Sequence, residues 1–581
     1  MQRLWGVLNR PCEIGWASCL EKTVDYTRQG LKWNGWGRVG QDFDLQGREQ
    51  DLWSFFQEQL GIASPVEAPA ASLDQTSIPD SRLHDDTWAA LKGIFGDRVT
   101  RSRYERAFHA VGKSYYDLIR IRTGTLPCAP DAVVYPHNAD ELTLLIELAH
   151  SSNLVLVPFG GGSSVVGGVE SSDDQGRVVI TVDMTKMNRI VSVDEQSMTA
   201  VVQAGIYGPD LEVQLRERGW TLSHYPQSFQ FSTLGGWIAA RGSGQQSNRY
   251  GSAEKFMVSA QLVTPKGKFE CKPFPKSAAG PDLAQLIAGS EGIFGFITQA
   301  TIRLHPVPPS SDYRGFLFAD FETGASVVRE IVQDGVSVAM LRLSDADETF
   351  FLGQQRSYGR PKTWFDKATD AALDLVGVGG RPCLLLVGME GTTAGVATSR
   401  LGVAKIALGH GGLPLGAKPG RAWYRSRFDM PYLRDALLDR GIGVDTVETS
   451  TSWSNIHNLH REVRDTIDRA LQSHTRHAFD KPIVMAHISH SYRDGASLYF
   501  TFVFPVDSDA QAQWKSVKRD ISDAIVAHGG TISHHHGVGR DHRAWLDSEK
   551  GPLGVAVIAS AKKVLDPHHV MNPGKLLPSK E

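Results

Sequence analysis

Apolar runs of strand length and apolar positions at helical spacing alternate along most of this chain. Aliphatic and β-branched residues follow one another in residues 154–157 and Val178–Asp183, and aromatic residues crowd residues 498–504, as in buried strands. Later segments instead repeat apolar residues every three or four positions, as one face of a helix does. Two such helices are predicted at residues 325–333 and in the stretch that contains Trp514, Val517, Ile521 and Ile525. A further strand is predicted at residues 383–387. The pattern predicts an α+β fold.

Composition divides the chain into three parts. Residues 1–127 mix tryptophan-rich and charged segments, and we expect a largely helical N-terminal region with one helix over residues 91–111. Residues 128–306 carry most of the glycine-rich loops. The prolines at 306–309 mark a boundary. After it, residues 307–581 are expected to form an α+β cap, with a C-terminal segment that returns to the middle domain.

A loop of small residues directly after residues 154–157 is the strongest chemical signal. It consists of Pro158, Phe159, Gly160, Gly161, Gly162, Ser163, Ser164 and Val165. Three glycines let the backbone approach a ligand closely, and successive N–H groups with two hydroxyls can surround a pyrophosphate. The loop is neither a Walker A motif, since no Gly-Lys-Ser/Thr follows, nor a Rossmann fingerprint, since Val165 replaces the last glycine. A plain tight turn is the alternative for this loop alone.

Further small-residue loops follow in the middle domain. The candidate cofactor residues in them are Gln227, Ser228, Phe229, Gln230, Phe231, Ser232 and Thr233, then Ala240, Arg241, Gly242 and Ser243, and finally Glu291, Gly292, Ile293, Phe294, Gly295, Phe296 and Ile297. The order and spacing of the four loops resemble the PCMH-type FAD-binding domain of the vanillyl-alcohol oxidase family. That resemblance implies bound FAD, with the pyrophosphate on the first loop. Many relatives carry a covalently attached histidine there, and this loop has none, so we expect non-covalent FAD.

Composition excludes several classes of protein. The 581 residues carry a net charge of −3, which gives no basic surface for nucleic acid, so no nucleic-acid partner is expected. Five scattered cysteines form no CxxC pair and predict neither a disulfide framework nor a zinc knuckle. No run of about 18 apolar residues predicts a transmembrane helix, and the first twenty residues lack the uninterrupted apolar core of a secretory signal.

His534, His535 and His536 form the densest titratable cluster of the sequence. Neighbouring residues of an extended segment point to opposite faces, so His534 and His536 are the only pair expected to be able to share a metal ion, and we predict no metal. A second alternative is that one imidazole is buried in the core and another is solvated. We favour a third interpretation, in which these side chains transfer protons and form hydrogen bonds in a cleft facing the flavin.

Five motifs resemble those of the alkyldihydroxyacetonephosphate synthase family, the flavoenzymes of ether-lipid synthesis. They begin at Lys32, Tyr432, Glu448, Ser491 and Ser533, and they read KWNGWG, YLRD, ETS, SYRDGA and SHHHGVG. The similarity runs from about residue 30 nearly to the end of the chain. The first and last motifs are the most specific.

This resemblance implies an exchange reaction with no net oxidation. In that family the acyl chain of acyl-dihydroxyacetone phosphate is replaced by a long-chain alcohol, while the flavin N5 holds the dihydroxyacetone phosphate carbon. By position, Tyr492 corresponds to the catalytic tyrosine and His534, His535 and His536 to essential histidines. Arg434 and Arg342 correspond to arginines for substrate binding and activity, and a guanidinium suits a phosphate because of its bidentate geometry. From the residues alone, Tyr492 would be a packing residue and the arginines surface ion-pair residues.

Two other functions compete with the synthase. An FAD-linked oxidase or dehydrogenase of a D-2-hydroxy acid is indicated by the Asn-Pro-Gly-Lys sequence that begins at Asn572. Such enzymes hold a divalent metal through two histidines and a glutamate, and here Ser491, Leu498 and His535 stand at those positions. A flavin-binding protein without catalysis is the third candidate, which the histidine cluster disfavours.

The expected partners are lipid-like substrates, namely acyl-dihydroxyacetone phosphate and a fatty alcohol. We also expect a peripheral membrane contact and a homodimer. The peroxisomal signal of the eukaryotic enzymes has Arg-Leu, five residues, then His or Gln, and Arg3-Leu4 is followed by Arg10-Pro11 at that spacing. A cytoplasmic location is therefore expected in preference to a peroxisomal one.

Overall fold

The computed structural model describes residues 30–45, 47–62, 66–357 and 378–578. The helices in these ranges are α1 Glu49–Leu60, α2 Asp85–Phe95, α3 Arg103–Phe108, α4 Tyr115–Arg122, α5 Ala139–Ser151, α6 Gly208–Arg216, α7 Leu234–Ala240, α8 Ser247–Tyr250, α9 Ala253–Phe256, α10 Ala284–Ile287, α11 Phe321–Gln333, α12 Ala346–Ser357, α13 Thr393–Gly409, α14 Lys418–Ser426, α15 Met430–Leu438, α16 Ile456–His474, α17 Ala510–Ala527 and α18 Leu546–Leu565.

The strands in the same ranges are β1 Val99–Thr100, β2 Ala132–Val134, β3 Leu154–Phe159, β4 Val178–Asp183, β5 Ile190–Asp194, β6 Thr199–Gln203, β7 Trp220–Thr221, β8 Met257–Thr264, β9 Gly267–Glu270, β10 Phe296–Arg303, β11 His305–Pro306, β12 Ser310–Phe318, β13 Met340–Ser344, β14 Cys383–Gly391, β15 Leu413–Gly416, β16 Ile442–Ser452, β17 Ile483–Ser491 and β18 Gly495–Pro505. The α+β class is confirmed.

Two sheets form the middle domain. The first has the order β1-β2-β4-β3, and β2, β4 and β3 run parallel. Parallel strands covered on both faces need continuous apolar sequence, which explains why the strand Val178–Asp183 is predicted with its observed bounds. The second sheet is antiparallel, in the order β5-β6-β10-β8-β9. The glycine-rich loop leaves the carboxyl end of β3, where ligands of open α/β sheets bind.

A seven-stranded antiparallel sheet forms the cap, in the order β15-β12-β14-β13-β17-β18-β16. Side chains alternate between its two faces, because successive residues of a strand point in opposite directions. On β18, Leu498, Phe500 and Phe502 are buried in the large core that also contains residues of α11 and α16. Tyr499 and Thr501 point to the opposite face, which lines a cavity.

The N-terminal region does not contain the single helix predicted over residues 91–111. Over residues 91–111 the chain forms the end of α2, the strand β1 and the helix α3 rather than one helix. The backbone leaves α2 at Gly96, whose φ of 58° lies in the left-handed region that glycine tolerates. Val99 then pairs with Val134 of β2. The single-helix prediction is therefore wrong, because tertiary strand pairing competes with helical spacing.

The C-terminal segment lies against the middle domain. The N–H of Leu156 on β3 donates to Val570 O at 2.8 Å, and the N–H of Asn572 donates to Leu156 O at 2.8 Å. Met571 between them is completely buried. Within the described ranges, no helix combines the length and apolar character needed to cross a membrane.

Candidate active site

A cavity of about 1030 Å³ lies between the middle domain and the cap sheet. The glycine-rich loop forms part of its wall, and Arg342, Tyr499 and His535 of the cap form another part. Trp36 of the N-terminal region also lines it. Residues from all three parts of the chain therefore surround one space large enough for a cofactor and a substrate.

The glycine-rich loop has the shape of a phosphate cradle. A Cβ atom on Gly161 would lie 1.8 Å from Phe231 O, and one on Gly160 would lie 2.3 Å from Thr233 Oγ1. Glycine is therefore required for the first two loops to pack together. The amides of residues 161–165 donate no hydrogen bond within the described part of the chain. These free donors fit the pyrophosphate of FAD.

Nineteen of the 25 candidate cofactor residues line this cavity. They are Pro158, Phe159, Gly160, Gly161, Gly162, Ser163, Ser164, Gln227, Ser228, Ser232, Thr233, Ala240, Gly242, Ser243, Glu291, Gly292, Gly295, Phe296 and Ile297. No histidine lies in the glycine-rich loop, and non-covalent attachment of FAD stays a prediction.

The other six candidates point elsewhere: Phe229, Gln230, Phe231, Arg241, Ile293 and Phe294 do not line the cavity. Arg241 donates to the carbonyls of Gln285 and Ala288 on the far side of its loop. The aromatic and aliphatic side chains of the set are buried in the core. Loop residues alternate between facing a ligand and anchoring the loop, and sequence alone does not separate the two. A direct role for these six in cofactor binding stays a prediction.

The histidine loop, residues 533–539, is bent rather than extended. The N–H groups of His534, His535 and His536 all donate to the carboxylate of Glu448, at 2.7, 3.1 and 2.9 Å. Because these three amides converge on one group, the side chains do not alternate as in a strand. His534 Nδ1 lies 2.9 Å from His535 Nδ1.

This bend changes which histidines can share a metal ion. His490, His534 and His535 bring ring nitrogens within 4.8 Å of one another, so adjacent histidines can share an ion and the expected His534–His536 restriction is wrong. His490 Nε2 lies 3.0 Å from Gly244 O, and its Nδ1 lies 2.9 Å from Ser489 Oγ. The prediction of no metal stays a prediction.

Burial keeps two of the histidines neutral at physiological pH. It lowers the pKa of His534 to about 4 and that of His536 to about 3, although the Glu448 carboxylate acts in the opposite direction. Neutral imidazoles can accept a proton at one nitrogen and donate from the other. His534 and His536 are therefore weakly basic and serve as neutral hydrogen-bonding groups at physiological pH.

Tyr492 lies at the edge of this cluster. It occupies the turn between β17 and β18, and 42% of the residue is exposed. Its hydroxyl lies 2.6 Å from His534 Nε2. Neither Tyr492 nor His534 lines the cavity, whereas His535 and His536 do. The catalytic assignment of Tyr492 stays a prediction.

Tyr499 is a cavity-lining residue that is not among the residues predicted from sequence. Its ring stacks with His487 at 5.1 Å between centroids, lies parallel to His535 at 6.1 Å and is perpendicular to His536 at 5.7 Å. Burial raises the pKa of its hydroxyl to about 12, so the hydroxyl stays protonated at neutral pH. The sequence could have identified Tyr499 through its position between the core residues Leu498 and Phe500, because alternate residues of a strand point to opposite faces.

The two predicted arginines line the cavity but differ in their partners. Arg342 donates to Glu348 Oε1 at 2.8 Å, and its Nη1 lies 2.6 Å from His487 Nε2. Arg434 Nε is buried without a hydrogen-bond partner, and no carboxylate of the described residues forms an ion pair with it. Burial lowers the pKa of Arg434, and Asp435 opposes this. Arg434 is therefore the arginine free to bind an anion.

Two family models match the chain. Residues 130–271 match the FAD binding domain model, and residues 307–576 match the model described as FAD linked oxidases, C-terminal domain. The first covers the glycine-rich loop and the second covers the cap with the histidine loop. The donor set of the cavity and the family models agree on FAD as the cofactor.

Curated relatives match over nearly the whole chain. Alkyldihydroxyacetonephosphate synthase of Dictyostelium discoideum is 34% identical over 95% of this chain and 94% of its own. The synthase of Trypanosoma brucei brucei is 36% identical over 94% and 92%. A solved alkyldihydroxyacetonephosphate synthase structure covers 94% of this chain and 99% of its own, with a TM-score of 0.79 and 33% identity. By contrast, mitochondrial D-lactate dehydrogenase (cytochrome) of Arabidopsis thaliana is 26% identical over 84% of this chain and 79% of its own.

Proposed function

Because the chain belongs to the alkyldihydroxyacetonephosphate synthase family, we propose that it replaces the acyl chain of acyl-dihydroxyacetone phosphate with a long-chain alcohol. It is an FAD-dependent enzyme of ether-lipid synthesis. The observation that carries the proposal is a single cavity that joins a phosphate cradle, an unpaired arginine, a tyrosine with histidines, and an apolar wall.

Arg434 is proposed to bind the phosphate of the substrate. Its guanidinium faces the cavity with a buried, unpartnered Nε, and a phosphate oxygen would supply the missing acceptor. Arg342 is already neutralised by Glu348. We therefore assign it to orienting His487 beside the reacting groups.

The apolar wall supports a long hydrocarbon chain as part of the substrate. Its residues pack on one another in a single cluster: Phe43, Leu45, Leu52, Phe55, Phe351, Leu433, Val444 and Met485. Burying each CH₂ group of an acyl or alkyl chain there contributes about 0.8 kcal/mol. A small 2-hydroxy acid has no group that would use this wall.

FAD, held by the glycine-rich loop, would supply an electron-poor ring system for the exchange. The side chains of this protein manage the protons. His535, which lines the cavity with its Nδ1 3.3 Å from Glu448, can accept the proton that the incoming alcohol loses, and the protonated Tyr499 hydroxyl can donate a hydrogen bond to an oxygen of the reacting group. The apolar part of the cavity wall disfavours water, which would compete with the alcohol.

Incubation with palmitoyl-dihydroxyacetone phosphate and hexadecanol tests this function. We expect palmitate release together with hexadecyl-dihydroxyacetone phosphate. A parallel dye-reduction screen with D-2-hydroxy acids tests the competing dehydrogenase. Dye reduction by a hydroxy acid without any ether product would overturn the proposal.

We further propose a cytoplasmic protein in peripheral contact with a membrane, because both lipid substrates partition into bilayers. Leu553, Val557 and Val564 are exposed on one face of α18 and support such a contact. Flotation with vesicles, comparing wild type with Leu553→Ser/Val557→Ser, checks this. Homodimerisation stays a prediction, which light scattering would test.

A further inference from the structure

Glu448 is a buried carboxylate directly behind the histidine loop. It lies on β16, is 3% exposed, and does not line the cavity. Charged groups are seldom buried this completely unless they are paired. Its environment therefore has to supply compensating donors.

Four donors converge on this one carboxylate. Oε1 accepts hydrogen bonds from Ser533 Oγ at 2.8 Å and from the N–H groups of His535 and His536, while Oε2 accepts from the N–H of His534 at 2.7 Å. A carboxylate accepts about four hydrogen bonds when ionised, so its backbone and hydroxyl donors nearly fill its capacity. Burial opposes ionisation, but the neighbouring His535, whose Nδ1 lies 3.3 Å away, outweighs it and holds the pKa of Glu448 well below its usual range.

The other end of the same loop is held by a second, partly buried carboxyl group that lines the cavity. Glu291 of the middle domain accepts hydrogen bonds from the N–H of Val538 at 2.5 Å and of Gly539 at 2.7 Å. A Cβ atom on Gly537, whose φ is 89°, would lie 2.9 Å from Glu291 Oε1. The loop therefore spans from a cap carboxylate to a middle-domain carboxylate, which fixes the imidazoles relative to the glycine-rich loop.

The same cap carboxylate, Glu448, is close to all three imidazoles. Its oxygens lie 3.3 Å from His535 Nδ1, 3.7 Å from His536 Nδ1 and 3.9 Å from His534 Nδ1. An anion at these distances favours a proton on an imidazole. A proton that moves onto the loop during the reaction would meet a fixed counter-charge.

We propose that Glu448 is the positioning residue of this site: it holds the histidine loop in one conformation and stabilises positive charge on His535, the imidazole nearest to its carboxylate. This inference rests on the proposed function, because it concerns a proton that the exchange passes to the loop. It assigns Glu448 no contact with substrate or cofactor.

Glu448→Gln tests the proposal by keeping the side-chain shape and removing the charge. We expect kcat to fall by about 100-fold or more, with KM for the acyl substrate within about 3-fold of wild type and FAD content unchanged. Glu448→Asp restores a carboxylate and should recover about 10-fold of the lost rate. If Glu448→Gln does not fold, Glu448→Asp provides the test instead, because it keeps the charge and shortens the side chain.

Asp131→Asn is the matched control. Asp131 is another buried carboxylate, 1% exposed, that accepts hydrogen bonds from the N–H of Arg82 at 2.7 Å and of Val179 at 2.8 Å. It sits near the amino ends of the parallel strands, away from the cavity at their carboxyl ends. This control should lower the unfolding midpoint and leave kcat near wild type. A Glu448→Gln enzyme that behaves like Asp131→Asn would overturn the proposal.

A readout without turnover separates this inference from the proposed function. In ¹³C-histidine-labelled protein, the ring signal assigned through His535→Gln should have a lower midpoint in Glu448→Gln than in wild type, because the charge 3.3 Å from its Nδ1 is removed. The other titratable groups facing this ring are unchanged: His490, His534, His536, Tyr499 and His224. An unshifted midpoint would overturn the role of Glu448 even if ether synthesis is observed. A shifted midpoint without ether synthesis would support it and overturn the proposed function alone.

Discussion

Tyr499 of β18 lies directly opposite Glu448 of β16 and directly opposite His487 of β17 in the antiparallel register of the cap sheet. Three strands thus present a carboxylate, a phenol and an imidazole in one row on the same face. The carboxylate holds the histidine loop, and the other two side chains line the cavity. Strand pairing between distant segments therefore builds the reacting part of the site.

Substitution of Tyr499, which lines the cavity, should slow the reaction more than substitution of Tyr492, which does not. Tyr499→Phe is expected to lower kcat by about 100-fold or more, because Tyr499 lines the cavity and loses its hydroxyl, while the ring still packs against the histidines. Tyr492→Phe should lower kcat by less than about 10-fold, because its hydroxyl is hydrogen-bonded to His534 and neither residue lines the cavity. Steady-state rates of the two variants at equal FAD content check this order. The reverse order would make Tyr492 the proton-transfer group.

Arg434→Lys should impair activity while FAD stays bound. An ammonium cannot form the bidentate contact that a guanidinium offers to a phosphate. We expect the loss to be largest in kcat/KM for the phosphorylated substrate. Comparison with an acyl-dihydroxyacetone analogue that lacks the phosphate provides the control, and an equal loss on both substrates would argue against a phosphate contact.

Gly161→Ala should lose the cofactor. The new methyl group would lie 1.8 Å from Phe231 O, so the first two loops would have to separate. The flavin absorbance per polypeptide after gel filtration measures this effect. Gly176→Ala is a matched control, since no heavy atom lies within 4 Å of the position its methyl group would occupy, although its φ of 72° adds some strain. Full FAD content in Gly161→Ala would show that the cradle lies elsewhere.

His224 should make the protein sensitive to acid. Burial lowers its pKa to about 3, both ring nitrogens lack a hydrogen-bond partner, and the ring packs against Trp237 and Phe256. Because the pKa of His224 is lower in the folded state than in the unfolded state, protonation favours unfolding. The stability of the fold with neutral His224 is fully present above about pH 6.5 and falls as the pH decreases towards 3. At pH 5.5 the loss from this one residue is about 1.4 kcal/mol.

His224→Phe should therefore lose less stability than wild type between pH 7.5 and pH 5.5. Urea unfolding of both proteins at the two pH values measures the difference. An identical pH dependence in the two proteins would show that His224 does not titrate as described.

Local sequence predicts the elements whose burial is uniform. The strand Val178–Asp183 is buried on both faces, and its apolar run predicts its observed bounds. The glycine-rich loop is also predictable, because no other residue type fits its backbone approach to Phe231. These features depend on neighbours in the chain or on one steric requirement.

The reacting groups are harder to predict because their neighbours are distant in sequence. Tyr492 is adjacent to a family motif, whereas Tyr499 reaches the cavity through the register of three strands. The bend of the histidine loop depends on Glu448, which lies 86 residues before His534. Strand alternation identifies Tyr499 as facing away from the core, but it does not identify what it faces.

The most direct test of the exchange mechanism follows the oxygen atom of the alcohol. Wild-type protein is incubated with palmitoyl-dihydroxyacetone phosphate and ¹⁸O-labelled hexadecanol, and palmitate and ether lipid are quantified by mass spectrometry. We expect one hexadecyl-dihydroxyacetone phosphate for each palmitate released, with the ¹⁸O retained in the ether bond and no net reduction of an added dye. Palmitate release without ether formation, or an ether product without the ¹⁸O label, would contradict the account.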